Sequence, residues 1–261
     1  MAAHAVLTAY FLGTFRVSID GVPVDTASSR RTRNMLAYLV AHRRPPVPRD
    51  VLMDVFWPTA HPDAARNSLH VALSGVRQVL RAAYPHPVIE RRFGAYQLVP
   101  LIGVWTDLEQ FEVACRSGRR ADRAGDERAA AREYEAACQL YDGDFLADDP
   151  YAEWACPVRE RLRLDAVDIQ SRLVEIYIAR GDHGPAALLA RRILAIDPCN
   201  ERVHCSLMTC YAATGLRHLA LAQYVRLATA LRDTFQVRPS AETSALYQSL
   251  RQPVGAGVGS G

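Results

Sequence analysis

Hydrophobic and polar positions along this chain follow two periods, a short alternating one near the N-terminus and a helical one after it. Residues 7–19 (LTAYFLGTFRVSI) read as two strands broken near Gly13, and Asp20-Gly21 is a hairpin signal with 22–24 as the return strand. Met35, Leu36, Leu39 and Val40 share one helical face, which predicts a helix from a cap at Ser28 or Ser29 to about Ala41. Pro45-Pro46-Val47-Pro48 stops it, and a short helix follows over 49–56. His61-Pro62-Asp63 opens a third helix, whose 64–82 stretch is the most informative in the chain. Wound at ~100° per residue, Leu69, Leu73, Val76 and Leu80 line one narrow stripe. Asn67, His70, Ser74, Arg77, Gln78 and Arg81 lie opposite; nearly all can hydrogen-bond and none is acidic. Residues 88–99 (VIERRFGAYQLV) then read as two strands joined near Phe93-Gly94-Ala95, with Arg91 and Arg92 beside the tip. A groove-sized helix followed by a basic β-wing is the layout of a winged helix. It offers the two things duplex DNA requires, side chains that read base edges and side chains that neutralise phosphates.

From Trp105 onward the periodicity is helical, with helices expected near 106–118, 126–140, 151–180, 184–196, 200–214, 217–236 and 240–251; Pro150 and Pro157 interrupt the long one. A repeat runs through this half. Tyr177 and Tyr211, Gly181 and Gly215, and Ala186 and Ala220 are each 34 residues apart, the spacing of tetratricopeptide helix pairs. Ala130, Tyr134 and Ala137 hint at an earlier copy. The second copy has Arg232 where the first has Pro198, so its last helix should run on to about Gln236. The fold class is therefore mainly α with a small β component. An N-terminal winged helix-turn-helix is expected over 1–100, an all-α tetratricopeptide-like domain over 101–252, and a disordered tail over 253–261.

Composition sharpens this division. The formal net charge of +3 conceals an asymmetry: residues 1–100 hold 12 Arg and 6 acids, the remainder 19 Arg and 22 acids. Only the first half is suited to a polyanion. The chain has no Lys, which excludes a P-loop, Schiff-base chemistry and kinase chemistry. Six cysteines without a CxxC pair fit no structural zinc pattern and are expected as buried helix-core thiols. Asp148, Asp149 and Glu153 lack calcium-loop spacing and are expected as solvated loop acids. His183, His204 and His218 have no triad partners and read as surface or packing residues; Trp57 reads as a core plug. The expectation is a protein that is not an enzyme, with no cofactor and no metal. With no signal peptide and no apolar run of membrane length, it is expected in the cytoplasm, at the nucleoid, with reduced thiols.

The recognition face is assigned to Asn67, His70, Val71, Ser74, Arg77 and Gln78. Arg77 can reach guanine or a phosphate, Asn67 or Gln78 can pair with adenine, and Val71 can touch a thymine methyl. Backbone and wing contacts are assigned to Arg30, Arg31, Arg33, Arg49, Arg66, Arg81, Arg91 and Arg92, with Arg43 and Arg44 in the turn before the second helix. A solvated helix face is the plain alternative for the stripe. The competing function is a tetratricopeptide-type interaction scaffold, or a ligand-sensing regulator, with a degenerate DNA-binding domain.

Several segments together resemble the Streptomyces antibiotic regulatory protein (SARP) family in its short form, with neither a receiver domain before it nor a nucleotide-binding domain after it. They are RTRNMLAYL from Arg31, VLMDVFWP from Val51, ARNSL from Ala65, GVRQVL from Gly75, YQL from Tyr96, DLEQFE from Asp107, YDGDFL from Tyr141, EWA from Glu153 and RERL from Arg159. The resemblance implies an OmpR-type winged helix followed by a bacterial transcriptional activator domain. It further implies an activator that binds direct repeats upstream of promoters as a homodimer on DNA. Such a protein contacts RNA polymerase and its sigma factor, often to switch on secondary metabolism.

Overall fold

Ten helices and seven short strands are present in the computed structural model, which describes residues 5–27 and 29–252. The expected tail at 253–261 and the alternative cap Ser28 lie outside the described residues. The chain divides into two compact units: the described residues up to Ala114 together with Ala137–Arg163, and Cys115–Ala136 together with the described residues from Leu164 onward. The fold is mainly α with a small N-terminal β component, a winged helix-turn-helix followed by a tetratricopeptide-like helical region, as the periodicity predicts.

In the first unit, β1 (Val6–Tyr10), β2 (Arg16–Ile19) and β3 (Val22–Pro23) form the expected meander. The sheet has a fourth strand, β7 (Gly103–Thr106), paired in parallel with β1 in the order β3-β2-β1-β7. The helical reading from Trp105 onward missed it. A four-residue strand whose partner lies about a hundred positions earlier leaves no hairpin signature. α1 (Arg30–Ala41), α2 (Arg49–Phe56) and α3 (Pro62–Ala83) follow, with Ser29 capping α1 through the Thr32 amide. Val47–Pro48, read as a helix stop, is also a short edge strand, β4; it pairs with β6 (Ala95–Leu98), which pairs with β5 (Ile89–Arg92). Proline is tolerated there because an edge strand need not donate on its outer side.

The segment 137–163 completes this unit. Phe145 is fully buried and stacks on Phe11 at 5.4 Å between centroids. Backbone bonds join Leu146 N–H to Phe11 O (2.9 Å), Gly13 N–H to Asp144 O (3.1 Å) and Ala147 N–H to Gly13 O (2.9 Å). The Cβ that Gly143 lacks would sit 3.3 Å from the Gly13 backbone, so the two chains touch where both are glycine. The YDGDFL segment thus acts as a plug and strap.

Asp149 is not the solvated loop acid expected, and Asp148, although exposed, is engaged by the fold. Asp149 is 4% exposed, takes both Arg30 Nε (2.9 Å) and the Arg30 terminal amine, and accepts from the Asn34 amide. Asp148 accepts from Phe15 N–H (3.2 Å) and pairs with Arg33. Trp154 packs edge-on to Tyr38 and donates its indole N–H to Asn34 Oδ1 at 3.0 Å. The pairing of these acids was not legible because their partners lie about 115 to 133 positions away and no local spacing marks them.

In the second unit the end of α4 (Asp107–Arg123) and much of α5 (Glu127–Leu140) and α6 (Cys156–Ala179) are followed by α7 (His183–Ile196), α8 (Glu201–Ala213), α9 (Arg217–Phe235) and α10 (Ala241–Arg251). The 34-residue repeat is physical. Gly181 (φ +81°) and Gly215 (φ +78°) each end a helix in the left-handed region, and Ala186 and Ala220 are fully buried. Asp182 N–H reaches back to Tyr177 O and Leu216 N–H to Tyr211 O, both at 2.8 Å, the bond of a Schellman close. The hinted earlier copy is real: Gly125 (φ +77°) makes the same turn, Asp126 N–H reaches Ala121 O at 3.0 Å, and Ala130 and Ala137 are fully buried. Gly118 is the small residue of that copy, since a Cβ there would lie 2.5 Å from the Tyr134 ring. α9 closes at Gln236 (φ +59°), where the missing proline placed it.

Cys115 and Cys210 are buried as expected, but Cys156 is exposed at the start of α6. His204 is buried, with Nδ1 2.7 Å from the Gln223 amide and Nε2 3.0 Å from Pro198 O. Burial holds His204 below its ordinary value of 6.5, and burial does the same to His42, which stacks on Tyr38. Both folded histidines resist the proton that the unfolded chain accepts near 6.5, so stability falls as pH drops through that value and below. Chemical denaturation at pH 7.5 and 5.5 should give a lower midpoint at pH 5.5; equal midpoints would show that neither histidine matters.

Candidate nucleic-acid interface

α3 is the centre of the site. Pro62 occupies its first turn, where a missing N–H costs nothing, and Asp63 favours the positive end of the helix dipole. Ala65, Leu69, Ala72, Leu73, Val76 and Leu80 are buried beneath it. Gly75 lets α1 approach closely: a Cβ at that position would lie 2.6 Å from Thr32 Oγ1. With one face so fixed, the other points to solvent without freedom to roll.

That outer face holds Asn67, His70, Val71, Ser74, Arg77, Gln78 and Arg81, every one exposed. They span an arc of roughly 120° on the helical wheel, about the width a major groove admits. Val71 is 74% exposed, a large apolar side chain set among hydrogen-bonding ones. Because the helix starts at Pro62, Asp63 joins the same arc one turn before Asn67, an acid outside the 64–82 stripe; it pairs with Arg66 at 3.1 Å. Arg77 and Arg81 border a hollow of about 170 Å³ whose other wall is His86, Pro87, Val88 and Ile89, so the arc runs on to the root of the wing.

The wing is the β5–β6 hairpin. Phe93 (φ +50°) and Gly94 (φ +80°) form a two-residue turn with both φ positive, the type I′ geometry whose twist suits a hairpin. Arg91 and Arg92 are exposed at its end, and the Arg92 guanidinium lies 5.2 Å from the Phe93 ring centre. Arg49 N–H donates to Gly94 O at 3.1 Å and ties the tip to the start of α2. Phe93 itself is 95% exposed. Residues near the tip were assigned by charge alone, and Phe93 was passed over as turn material. The signal was nonetheless present, because Asn or Asp is the usual residue before Gly in such a turn.

The other arginines divide into two groups. Arg30 and Arg33 are engaged by Asp149 and Asp148, with Arg33 only 17% exposed, and Arg43 is held by Glu109 at 15% exposed. These pairs brace the start and end of α1 within the unit, while the Arg30 side chain stays 60% exposed. Arg31 lies over the Trp57 face at 5.4 Å, and Arg49 pairs with its neighbour Asp50 at 2.9 Å. Trp57 is half-buried against Phe56, rather than a full core plug. Arg44 is exposed. Among the described residues no group of three or more His, Cys, Asp or Glu is placed to hold a metal ion, and no helix is long and apolar enough to cross a membrane.

The model of the bacterial transcriptional activator domain matches residues 106–251, more than half of the chain. The chain belongs to the bacterial transcriptional activator domain family. Its SARP-type order of parts is shared with relatives along nearly its whole length. It is 28% identical to the transcriptional regulatory protein EmbR of Mycobacterium tuberculosis over 94% of this chain and 64% of that protein. It is 25% identical to the regulatory protein DnrI of Streptomyces peucetius over 92% of this chain and 90% of that one. The regulatory protein AfsR of Streptomyces coelicolor matches at 26% over 92% of this chain and 24% of its own length. A solved structure of M. tuberculosis EmbR with a low-affinity phosphopeptide superposes with a TM-score of 0.76, at 28% identity, covering 97% of this chain and 67% of that one. This family member thus spans about two thirds of the length of the EmbR regulators it matches.

Proposed function

We propose that this protein is a sequence-specific DNA-binding transcriptional activator. α3 enters the major groove, and the β5–β6 wing lies on the flanking backbone and minor groove. The observation that carries the reading is the exposed arc of α3, with hydrogen-bonding side chains and Val71 on a helix whose other face is fixed in a core. Relatives named as transcriptional and other regulatory proteins along more than nine tenths of the chain support it. In this reading two copies sit as a homodimer on direct repeats, and the second unit offers its helical surface to RNA polymerase and its sigma factor. The regulated genes belong to secondary metabolism.

The test is a gel shift titrated with salt, on promoter DNA next to the protein's own gene, with non-specific competitor present. Affinity should fall steeply with salt, since each neutralised phosphate contributes about −0.9 to the log–log slope. Replacing Arg91 and Arg92 by Ala should make the slope shallower by about 1 for each phosphate lost, with little change in which sequence is preferred. Affinity that is flat between low and moderate salt would sink the DNA reading and promote the interaction scaffold in its place.

A further inference from the structure

We propose that Phe93 is a wedge that enters the minor groove and parts a base step. The inference rests on the DNA-binding reading above. Among the described residues, two tight turns share the same backbone form. In the first, Asp20 (φ +49°) precedes Gly21, and its carboxylate accepts the Val6 amide at 2.8 Å. That is the residue type such a turn favours, used to bind its own fold. In the second, Phe93 holds the same left-handed position (φ +50°) before Gly94. An aromatic residue is disfavoured there, because its Cβ crowds the following carbonyl. Phe93 is 95% exposed, with the Arg92 guanidinium against its ring, so it contributes nothing to the core. A strained backbone that presents a large apolar ring to water serves something outside the unit.

The mount is stiff. β5 and β6 pair over four residues, β4 extends the sheet, and the Arg49 amide fixes the Gly94 carbonyl. The charge around the ring selects the occupant. Arg91 and Arg92 stand at its base, while the hairpin's acid, Glu90, lies at the other end of β5 with the Gln97 amide bonded to it. An apolar ring flanked by two cations, with the one acid at the foot of the tip, Asp50, paired to Arg49, suits the narrow space between two phosphate strands. Apolar side chains placed there unstack a base step and kink the duplex. Pyrimidine–purine steps open most readily. The wing therefore selects sequence by deformability, in addition to whatever α3 reads.

The experiment compares the full chain with Phe93→Asn and Phe93→Trp on one promoter fragment. Bend angle is read by circular permutation, and unstacking by 2-aminopurine at the step under the wing. Asn suits the left-handed position, so Phe93→Asn should melt no lower than the native chain. It should lose at least tenfold in affinity, together with the bend and the 2-aminopurine signal, at an unchanged salt slope. Phe93→Trp should keep all three. If Phe93→Asn binds and bends DNA like the native chain, the wedge is wrong and the DNA reading stands. A loss of affinity in Phe93→Asn with no bend or unstacking in the native complex also overturns it. Failure of the native chain to bind any promoter DNA overturns the parent reading and this one together.

Discussion

Replacing His70 and Arg77 together by alanine should abolish the sequence-specific complex while leaving the fold intact. Both side chains are exposed on α3, one turn of helix on either side of Ser74. Neither has a bond that the fold depends on, and alanine is the best helix former, so thermal stability should stay within about 0.5 kcal/mol. A well-placed base contact is worth about 1–3 kcal/mol of discrimination. Losing two such contacts should weaken specific binding by about 2–6 kcal/mol, or roughly 30- to 20,000-fold. Gel shifts against specific and non-specific DNA also separate the roles of Arg77. If it reads guanine, the ratio of specific to non-specific affinity collapses. If it holds a phosphate, both affinities fall alike and the salt slope becomes shallower by about 1. A double variant that still binds and discriminates as the native chain does would remove α3 from the interface.

The second large effect concerns where the first unit ends. A fragment stopped at residue 100 should fail to fold cooperatively, although it contains all three helices and the wing. It lacks β7, so β1 loses its parallel neighbour. It lacks Asp107, whose carboxylate accepts the buried amides of Phe11 (2.8 Å) and Leu12 (2.9 Å); a buried donor left without a partner costs about 1–3 kcal/mol. It also lacks Phe145 on the Phe11 ring and Trp154 on Tyr38, and removing a packed aromatic typically costs about 3–5 kcal/mol. The sum exceeds the margin of a small domain. Near-ultraviolet circular dichroism and amide dispersion in proton spectra decide it. A native-like spectrum and a sharp melt for 1–100 would show that the later segments only decorate the unit. In the full chain, Trp154→Ala alone should lower the melting temperature without touching the face of α3.

Local features were legible in the sequence and remote ones were not. The faces of α3, the β5–β6 hairpin, the Asp20-Gly21 turn and the two Gly turns 34 residues apart all follow from neighbours within a few positions. Periodicity and turn chemistry report such neighbours directly. β7, the Asp149 hub and the Phe145 plug depend on partners about 95 to 135 positions away, which no window of the sequence contains. For the same reason charge counting did not show which arginines are already paired. Arg30, Arg33 and Arg43 add to the basic surplus of the first hundred residues, yet acids from beyond residue 100 engage them. Phe93 escaped for the opposite reason, because it stands next to the arginines that drew attention and was set aside as a turn.

The strap at 137–163 also sets a schedule for the growing chain. The helices and wing of the first unit leave the ribosome early, but the ring that stacks on Phe11 and the carboxylate that holds Arg30 and Asn34 are made some forty to fifty residues later. At about 5–20 residues per second the half-finished unit waits several seconds for them. A message cut anywhere before that point therefore yields no folded first unit. If the proposed function holds, a truncated copy does not compete with the whole one for DNA, so nonsense alleles in this interval should behave as simple losses.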